Sequence, residues 1–108
     1  MNLKISKPIV FIDTETTGTN PMKSKIVEIT AAKLFPDGTE ETKSARINPG
    51  IPIPSEAQAV HGISDEDVVD EPIFARYAKG LLEFLIGCDL AGYNAIRFDI
   101  PLLQAEFE

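Results

Sequence analysis

Two carboxylates, Asp13 and Glu15, stand one residue apart where an apolar segment gives way to polar residues. Successive side chains of a strand point to opposite faces, so this spacing predicts both carboxylates on one side of a sheet. Like charges held this close repel each other unless a cation or a proton lies between them. The pair is a candidate site for a divalent cation, and a strand that ends in a solvated polar loop is the alternative interpretation of the same pattern.

A third carboxylate, Asp99, precedes Ile100 and Pro101 and allows two interpretations. As a helix N-cap with proline in the first turn, it would contribute about 1 kcal/mol of stability. If the strand before Asp99 lies parallel beside the strand that carries Asp13, the two strands end at the same edge, where ligands of open α/β sheets gather. Three carboxylates would then converge on one pocket, and such hard oxygen ligands suit Mg²⁺ or Mn²⁺.

The elements that must position these groups begin with the run Pro8–Ile12, which is apolar and rich in β-branched residues. This composition predicts a central strand buried on both faces. Further strands are predicted over 26–34 and 40–47, joined by a turn at 35–38 that contains proline and glycine. Short connections favour an antiparallel meander of these three strands.

The middle of the chain predicts short helices. Ser55 to Gln58 has the pattern of a capping box that opens a helix, and Gly62 is placed to end that helix. Ser64 begins a second brief turn in the same way. Pro72 is predicted at the first position of a longer helix that ends near Gly87.

The remaining elements complete an α/β architecture with a mixed sheet. The longer helix presents apolar residues at a spacing of four, namely Ile73, Tyr77, Leu81 and Leu85. Residues 90–93 are predicted as a fourth strand. A last helix from about Arg97 carries an apolar face, formed by Ile100, Leu103 and Phe107, and no second layer is predicted to cover that face.

Composition bounds the class of protein. The chain has 108 residues, 44% of them hydrophobic, a formal net charge of −7 and one cysteine. The length predicts one domain, and the composition predicts a folded protein without a disulfide framework, a signal peptide or a membrane span, and therefore a cytoplasmic one. An acidic surface repels nucleic acid at long range, but a bound divalent cation reverses the local sign of the charge.

Three ordered segments resemble a known family. Residues 11–18 read FIDTETTG and are similar to the first motif of the DEDD-type (DEDDh-like) 3′-to-5′ exonucleases, and residues 92–103, GYNAIRFDIPLL, are similar to the second. The connecting segment 55–64 and the tripeptide 72–74 also resemble that family. The resemblance implies a ribonuclease H-like fold, with residues 1–108 as the amino-terminal portion of one exonuclease domain.

The resemblance also implies a chemistry. Members of the family release nucleoside monophosphates from single-stranded DNA or RNA 3′ ends, using two divalent ions, here Mg²⁺ or Mn²⁺. By this resemblance Asp13, Glu15 and Asp99 are metal ligands and catalytic groups. The residues implied to lie beside the terminal nucleotide, its sugar or its base are Thr14, Thr16, Glu56, His61 and Asn94.

The chain departs from the family pattern in one respect. The third motif, a histidine followed five residues later by an aspartate, is absent from these 108 residues, and His61 is the single histidine. In the family that histidine is the general base and that aspartate is the fourth acidic ligand. We therefore expect this chain to be inactive or weakly active, and a base role for His61 is a less favoured alternative to contact with substrate.

Two other functions are compatible with the residues. The apolar face of the last helix suggests a noncatalytic interaction module that binds a polymerase subunit or a second copy of itself. A clustered acidic surface could instead bind cations without catalysis. Mn²⁺ binding by variants of Asp13 or Glu15 separates this possibility from a specific metal site, since binding to a diffuse acidic surface should hardly respond to either change.

Overall fold

The computed structural model describes residues 5–20, 22–91 and 100–107, the last range without the side chains of residues 100, 101 and 103. Within these residues four strands and four helices follow one another along the chain. Their bounds are β1 (Ile9–Thr16), β2 (Ile26–Leu34), β3 (Glu40–Arg46), α1 (Ser55–His61), α2 (Asp65–Val68), α3 (Ala75–Leu85), β4 (Asp89–Ala91) and α4 (Ile100–Phe107).

The strands form one mixed sheet in the order β3-β2-β1-β4. β1 pairs antiparallel with β2 and parallel with β4, and β2 pairs antiparallel with β3. The predicted α/β fold is therefore confirmed, with a meander of three strands followed by a parallel fourth strand. β1 is central, as its apolar run predicts, and β2 has the predicted bounds.

One face of the sheet carries the main core. Val10 and Ile12 of β1 are 0% and 3% exposed. The other buried members of the cluster are Ile26, Ile29 and Ala31 of β2, Ile47 just after β3, Phe74 just before α3, Phe84 of α3 and Leu102 of α4. Burial of such side chains contributes about 1.5–3 kcal/mol each, so this face fixes the position of β1.

The opposite face of the sheet is open in the part of the chain that the structure describes. Phe11 is 46% exposed and Asp13 is exposed, so the prediction that the central strand is buried on both faces is wrong for these residues. The apolar run predicts burial without saying on how many sides, and α3 and α4 both pack on the Val10 face. We call the Phe11, Asp13 and Glu15 side of the sheet the open face.

A bulge interrupts the pairing of β1 with β2 near the carboxyl end of β1. Glu15 pairs with Glu28, but the next residue, Thr16, pairs with Ile26, so Val27 is an extra residue on β2. Val27 is completely buried in a second core cluster under α1 and α2, together with Ile53, Ile63 and Val68. Its carbonyl accepts a hydrogen bond of 2.7 Å from the main-chain N–H of Ile47, just past the end of β3.

The predicted capping box at Ser55 is wrong. Pro54 occupies the N-cap position without a side-chain hydrogen bond, and Ser55 is already helical. The Gln58 amide, which would close the box, instead donates to the Ile53 carbonyl at 2.9 Å. The end of α1 is as predicted, with Gly62 in the left-handed conformation at φ 73°.

The predicted start of the longer helix is also wrong. α3 begins at Ala75 rather than at Pro72, because the two residues before Phe74 pair with another segment. The Pro72 carbonyl accepts a hydrogen bond from the Asn48 main chain at 2.9 Å, and Ile73 forms an isolated parallel bridge with Asn48.

The last helix differs from its prediction in how it is covered. The Phe107 ring packs edge-on against the Phe74 ring, with centroids 5.3 Å apart, so this member of the predicted apolar face has a partner within the chain. Leu102, on another side of α4, is completely buried in the main core. The predicted start at Arg97 and the side chains of Ile100 and Leu103 lie outside the described residues. None of the described helices is both long enough and apolar enough to cross a membrane.

Candidate active site

The candidate site is built on the last half of β1. Asp13 pairs with Thr30 and Glu15 pairs with Glu28 in the antiparallel ladder, so alternation places both carboxylates on the open face. Asp13 is exposed and Glu15 is half-buried. The spacing therefore predicts their common face correctly, and β1 extends past both residues to Thr16 rather than ending before them.

The open face carries more charge than these two residues. Glu28 lies directly across from Glu15, and Arg46 lies directly across from Glu28 on β3. Residues directly opposite one another in an antiparallel pair share a face. The Arg46 Nε donates to Glu28 Oε2 at 3.1 Å. Glu28 therefore lies between the Arg46 guanidinium and the Glu15 carboxylate.

The surroundings of Glu15 raise the pKa of its carboxyl above the ordinary value. Burial is the main cause that raises the pKa of Glu15, and repulsion from Asp13 comes next. Glu28 adds a lesser rise. A carboxylate with a raised pKa beside another carboxylate is the setting in which a bound cation relieves repulsion.

His61 at the end of α1 contacts the carboxyl end of β1. Its Nε2 lies 2.9 Å from the Thr16 carbonyl oxygen, and its Nδ1 accepts a hydrogen bond of 3.1 Å from the Ile63 main-chain N–H. A main-chain N–H can only donate, so Nδ1 is the unprotonated nitrogen of the neutral ring and Nε2 donates to Thr16. Both ring nitrogens are engaged within the chain, which argues against the alternative of His61 as a general base.

The loop after β1 is tightly held. The Thr16 hydroxyl donates to the Gly18 carbonyl at 2.7 Å, and Thr17 exchanges two hydrogen bonds of 3.0 Å with the Lys25 main chain, one through its hydroxyl and one through its N–H. A Cβ at Gly18 would lie 3.1 Å from the Ser24 hydroxyl oxygen, so a larger residue would press on this loop. The local conformation at the end of β1 is therefore maintained by Thr16, Thr17 and Gly18.

The other residues predicted for the site are dispersed. Thr14 is half-buried on the face of β1 that also carries Val10 and Ile12, and Glu56 is exposed in the first turn of α1. Asn94 and Asp99 lie outside the described residues. The structure thus brings Asp13, Glu15, Thr16 and His61 together. Substrate contact stays a prediction for all five residues implied by the resemblance, namely Thr14, Thr16, Glu56, His61 and Asn94.

Sequence reasoning missed Glu28, Arg46 and Lys25 near the site. Glu28 and Arg46 carry a signal that could have found them, because Glu28 follows two apolar residues on a predicted strand and Arg46 alternates with Ala45 and Ile47. Their place beside Glu15 follows from the register of β1 with β2 and of β2 with β3, which the sequence pattern does not reveal.

The two carboxylates have the donor chemistry of a hard divalent cation. Mg²⁺ is held in proteins by one or two carboxylates, and waters and substrate phosphates complete its coordination. Asp13 and Glu15 fit this requirement on a single face. Within residues 5–20, 22–91 and 100–107, no group of three or more histidine, cysteine or acidic side chains is arranged to hold a metal ion, so a third protein ligand would have to come from elsewhere.

Comparison with protein families defines the class of protein. A family model described as Exonuclease (RNase_T) matches residues 10–108. The chain belongs to this exonuclease family, and the resemblance carried by FIDTETTG and GYNAIRFDIPLL is confirmed.

The chain is similar in sequence to epsilon subunits of bacterial DNA polymerase III. The chain is 35% identical over 113 aligned residues to the DNA polymerase III subunit epsilon of Salmonella typhimurium, covering 99% of this chain and 46% of that protein. It is 39% identical over 99 residues to the same subunit of Rickettsia conorii, covering 90% of this chain and 43% of that protein. The chain therefore spans less than half the length of the curated relatives it matches.

Solved structures share the fold. Escherichia coli exonuclease I in complex with a dT13 oligonucleotide superposes with a TM-score of 0.83 at 20% identity, covering 94% of this chain and 24% of that chain. The zinc-bound form of the same enzyme's complex with single-stranded DNA gives a TM-score of 0.83 at 20% identity, covering 94% and 23%. These likenesses confirm the predicted ribonuclease H-like mixed sheet.

Proposed function

We propose that residues 1–108 are the amino-terminal portion of a single domain that hydrolyses nucleic acid from its 3′ end. The reaction is phosphodiester hydrolysis of single-stranded DNA or RNA, with release of nucleoside monophosphates. The observation that carries this proposal is the placement of Asp13 and Glu15 on the open face of the central strand, in a chain of the exonuclease family. The exonuclease I structures contain a dT13 oligonucleotide and single-stranded DNA, which supports the substrate class.

Asp13 and Glu15, with Asp99 from the second motif, are the residues that would hold two Mg²⁺ or Mn²⁺ ions. When bound, such ions supply a reactive hydroxide at neutral pH and stabilise the negative charge on the leaving 3′ oxygen. The zinc-bound exonuclease I structure supports a divalent site in this fold. The protein's part is to hold the carboxylates on one face, deprotonated and close together.

The main-chain contacts around β1 serve this positioning. The Thr17 N–H donates to the Lys25 carbonyl, and the His61 ring donates to the Thr16 carbonyl, so the strand end is held from two sides. The carboxylates therefore need little reorganisation when a substrate arrives. By the family resemblance, the residues that would lie beside the terminal nucleotide are Thr14, Thr16, Glu56, His61 and Asn94. Because two relatives are subunits of DNA polymerase III, a polymerase subunit is the partner we propose.

The 108-residue chain should be a slow enzyme. His61 is its single histidine, and both nitrogens of that ring are engaged with main-chain atoms, so it does not supply a general base. A positioned general base contributes about 10²–10⁴-fold to a hydrolysis rate. The rate of this chain should therefore lie below that of a chain with the third motif by at least a factor of that order.

The first experiment is a Mn²⁺ titration of the metal-free chain, followed by electron paramagnetic resonance of free Mn²⁺. We expect Asp13→Asn and Glu15→Gln to weaken binding by about 10-fold or more, in the range that loss of groups around a metal typically costs. Asp37→Asn is the matched control, because Asp37 is an exposed acid in the β2–β3 turn, where it bonds to Thr39. Equal Mn²⁺ affinity of the wild type and all three variants would identify a diffuse acidic surface and contradict the proposal.

The second experiment follows a 5′-labelled single-stranded oligonucleotide with Mn²⁺ over long incubation. We expect a ladder shortened from the 3′ end, with nucleoside monophosphates as product, and we expect Asp13→Asn to abolish it. Internal cleavage, digestion from the 5′ end, or release that Asp13→Asn leaves unchanged would contradict the proposed reaction.

A further inference from the structure

The His61 ring joins two parts of the fold that are 45 residues apart in the chain. Its Nε2 donates to the Thr16 carbonyl at 2.9 Å, and its Nδ1 accepts from the Ile63 N–H at 3.1 Å. The ring is half-buried between these partners. One side chain thus connects the end of α1 and the loop after it to the end of the central strand.

The anchor on the α1 side is well packed and hydrogen-bonded. Ile63 is 3% exposed and packs in the second core cluster with Ile53, Val68 and Val27. Gly62 closes α1 between His61 and Ile63, with its N–H bonded to the Gln58 carbonyl at 2.8 Å. The position of the ring is therefore set by a packed core and a closed helix end rather than by a flexible loop.

The anchored atom lies where the sheet is least regular. The ladder between β1 and β2 shifts register between Glu15 and Thr16, because Val27 is inserted on β2. A bulge loosens the pairing of the strand it interrupts and changes the direction of the side chains beside it. In addition to the bonds between Thr17 and the Lys25 main chain, His61 holds the main chain after Glu15 from outside the ladder, at the Thr16 carbonyl.

We propose that His61 is a positioning residue that holds the carboxyl end of β1, and with it the Glu15 carboxylate, in the conformation that binds a divalent ion. The inference rests on the proposed function, since it assigns His61 to the metal site of that function. It gives the ring a role through Thr16, distinct from contact with substrate or with the attacking water. The bond to Thr16 is the one that matters for metal affinity, and the bond to Ile63 orients the ring.

Two conservative variants separate the two hydrogen bonds. In His61→Gln the side-chain amide reaches the position of Nε2 and can still donate to Thr16. In His61→Asn the shorter amide reaches the position of Nδ1, so its oxygen can accept from Ile63 while the bond to Thr16 is lost. We expect His61→Asn to weaken Mn²⁺ binding by about 10-fold and the Mn²⁺ affinity of His61→Gln to stay within about 2-fold of that of the wild type.

Amide hydrogen exchange supplies a readout that does not depend on metal. The Thr17 N–H donates to the Lys25 carbonyl immediately after Thr16, so its exchange reports the order of the strand end. We expect its exchange to accelerate in His61→Asn and to be restored in His61→Gln. The Gly38 N–H, bonded to Phe35 in the distant β2–β3 turn, should exchange equally in all variants, which excludes general loosening of the fold.

The outcomes are distinguishable. Failure of the wild type to bind Mn²⁺ any better than Asp13→Asn contradicts the proposed function itself. The positioning role of the Thr16 bond is overturned if the wild type binds Mn²⁺ and the variants His61→Asn and His61→Gln both match its affinity or both lose affinity equally. A loss of Mn²⁺ affinity in His61→Asn but not in His61→Gln, with unchanged exchange of the Gly38 amide, supports that role.

Discussion

Glu106 of α4 accepts the main-chain hydrogen bond of Ile26, with 3.0 Å between the Ile26 nitrogen and Glu106 Oε2, across 80 residues of chain. The same carboxylate lies 3.6 Å from the Lys25 ammonium, and its side chain is only 8% exposed. Ile26 is the first residue of β2 and the partner of Thr16 beyond the bulge. Glu106 thereby satisfies a buried donor next to the candidate site.

We predict that Glu106→Ala destabilises the chain by about 1–3 kcal/mol, because the Ile26 N–H would be left buried without an acceptor. Glu106→Gln retains an amide oxygen at that distance and should lose less than half as much. Urea unfolding followed by circular dichroism measures both. Equal losses in the two variants would show that the charge pair with Lys25, rather than the main-chain bond, is the stabilising contact.

Glu15 should reduce stability at neutral pH in the metal-free chain. Because burial, and then Asp13, raise the pKa of Glu15 above its ordinary value of 4.5, the folded chain retains this proton to higher pH than the unfolded chain does. The free energy of unfolding should therefore fall as pH rises from 4.5 through the folded-state pKa. Glu15→Gln removes the charge, and we expect it to be more stable than the wild type at pH 7, with the difference vanishing near pH 4.

The measurement is urea unfolding of both proteins at several pH values with a chelator present. Saturating Mn²⁺ provides the control, since an ion that binds the folded wild type stabilises it and should reverse the order of the two proteins. A Glu15→Gln variant that is less stable than the wild type at pH 7 without metal would contradict the assigned electrostatics.

Substitution by alanine should change stability in opposite directions at a glycine that ends one helix and at a glycine inside another. Gly62 ends α1 at φ 73°, a conformation that costs a residue with a Cβ about 1 kcal/mol or more, although space around it is open. Gly80 lies inside α3 with nothing near the position of an added Cβ, so alanine there should stabilise by about 0.5–1 kcal/mol. Thermal unfolding of Gly62→Ala and Gly80→Ala tests both signs, and a shift in the same direction would contradict the backbone explanation.

Local patterns predicted the sheet well and its irregularities badly. The bounds of β2 and the central place of β1 follow from apolar runs bordered by turn residues, which act over a few neighbours. The same reasoning predicted a capping box at Ser55, where the Gln58 amide instead bonds to Ile53. At Ser64 no such competitor intervenes, and the box forms.

The candidate site was predictable only where its residues share a strand. Asp13 and Glu15 share a face because strand alternation requires it, and their types alone suggest a cation. The pairing of Glu28 with Glu15 depends on the register of two strands. The His61 contact with Thr16 and the Glu106 bond to Ile26 depend on packing between distant segments. Such contacts follow from tertiary structure, and no local period of the sequence encodes them.

The capping box of α2 should stabilise the fold near neutral pH, and this stabilisation should be lost at low pH. Asp67 Oδ2 accepts a hydrogen bond of 2.9 Å from the Ser64 N–H, and the Asp67 N–H donates to the Ser64 hydroxyl at 3.3 Å. The main-chain bond, and then the Ser64 side chain, lower the pKa of Asp67 below its ordinary value of 3.8. The stabilisation is therefore complete above pH 3.8 and is lost as pH falls through the folded-state pKa.

We predict that Asp67→Asn lowers the free energy of unfolding at pH 6 and that its difference from the wild type shrinks toward pH 2.5. Ser64→Ala is the companion variant: it removes the hydroxyl cap at a cost of about 1 kcal/mol but keeps the main-chain N–H, so most of the Asp67 dependence on pH should persist in it. Urea unfolding between pH 2.5 and 6 measures both variants against the wild type. A penalty for Asp67→Asn that stays constant across this range would show that the carboxylate charge contributes nothing to the cap.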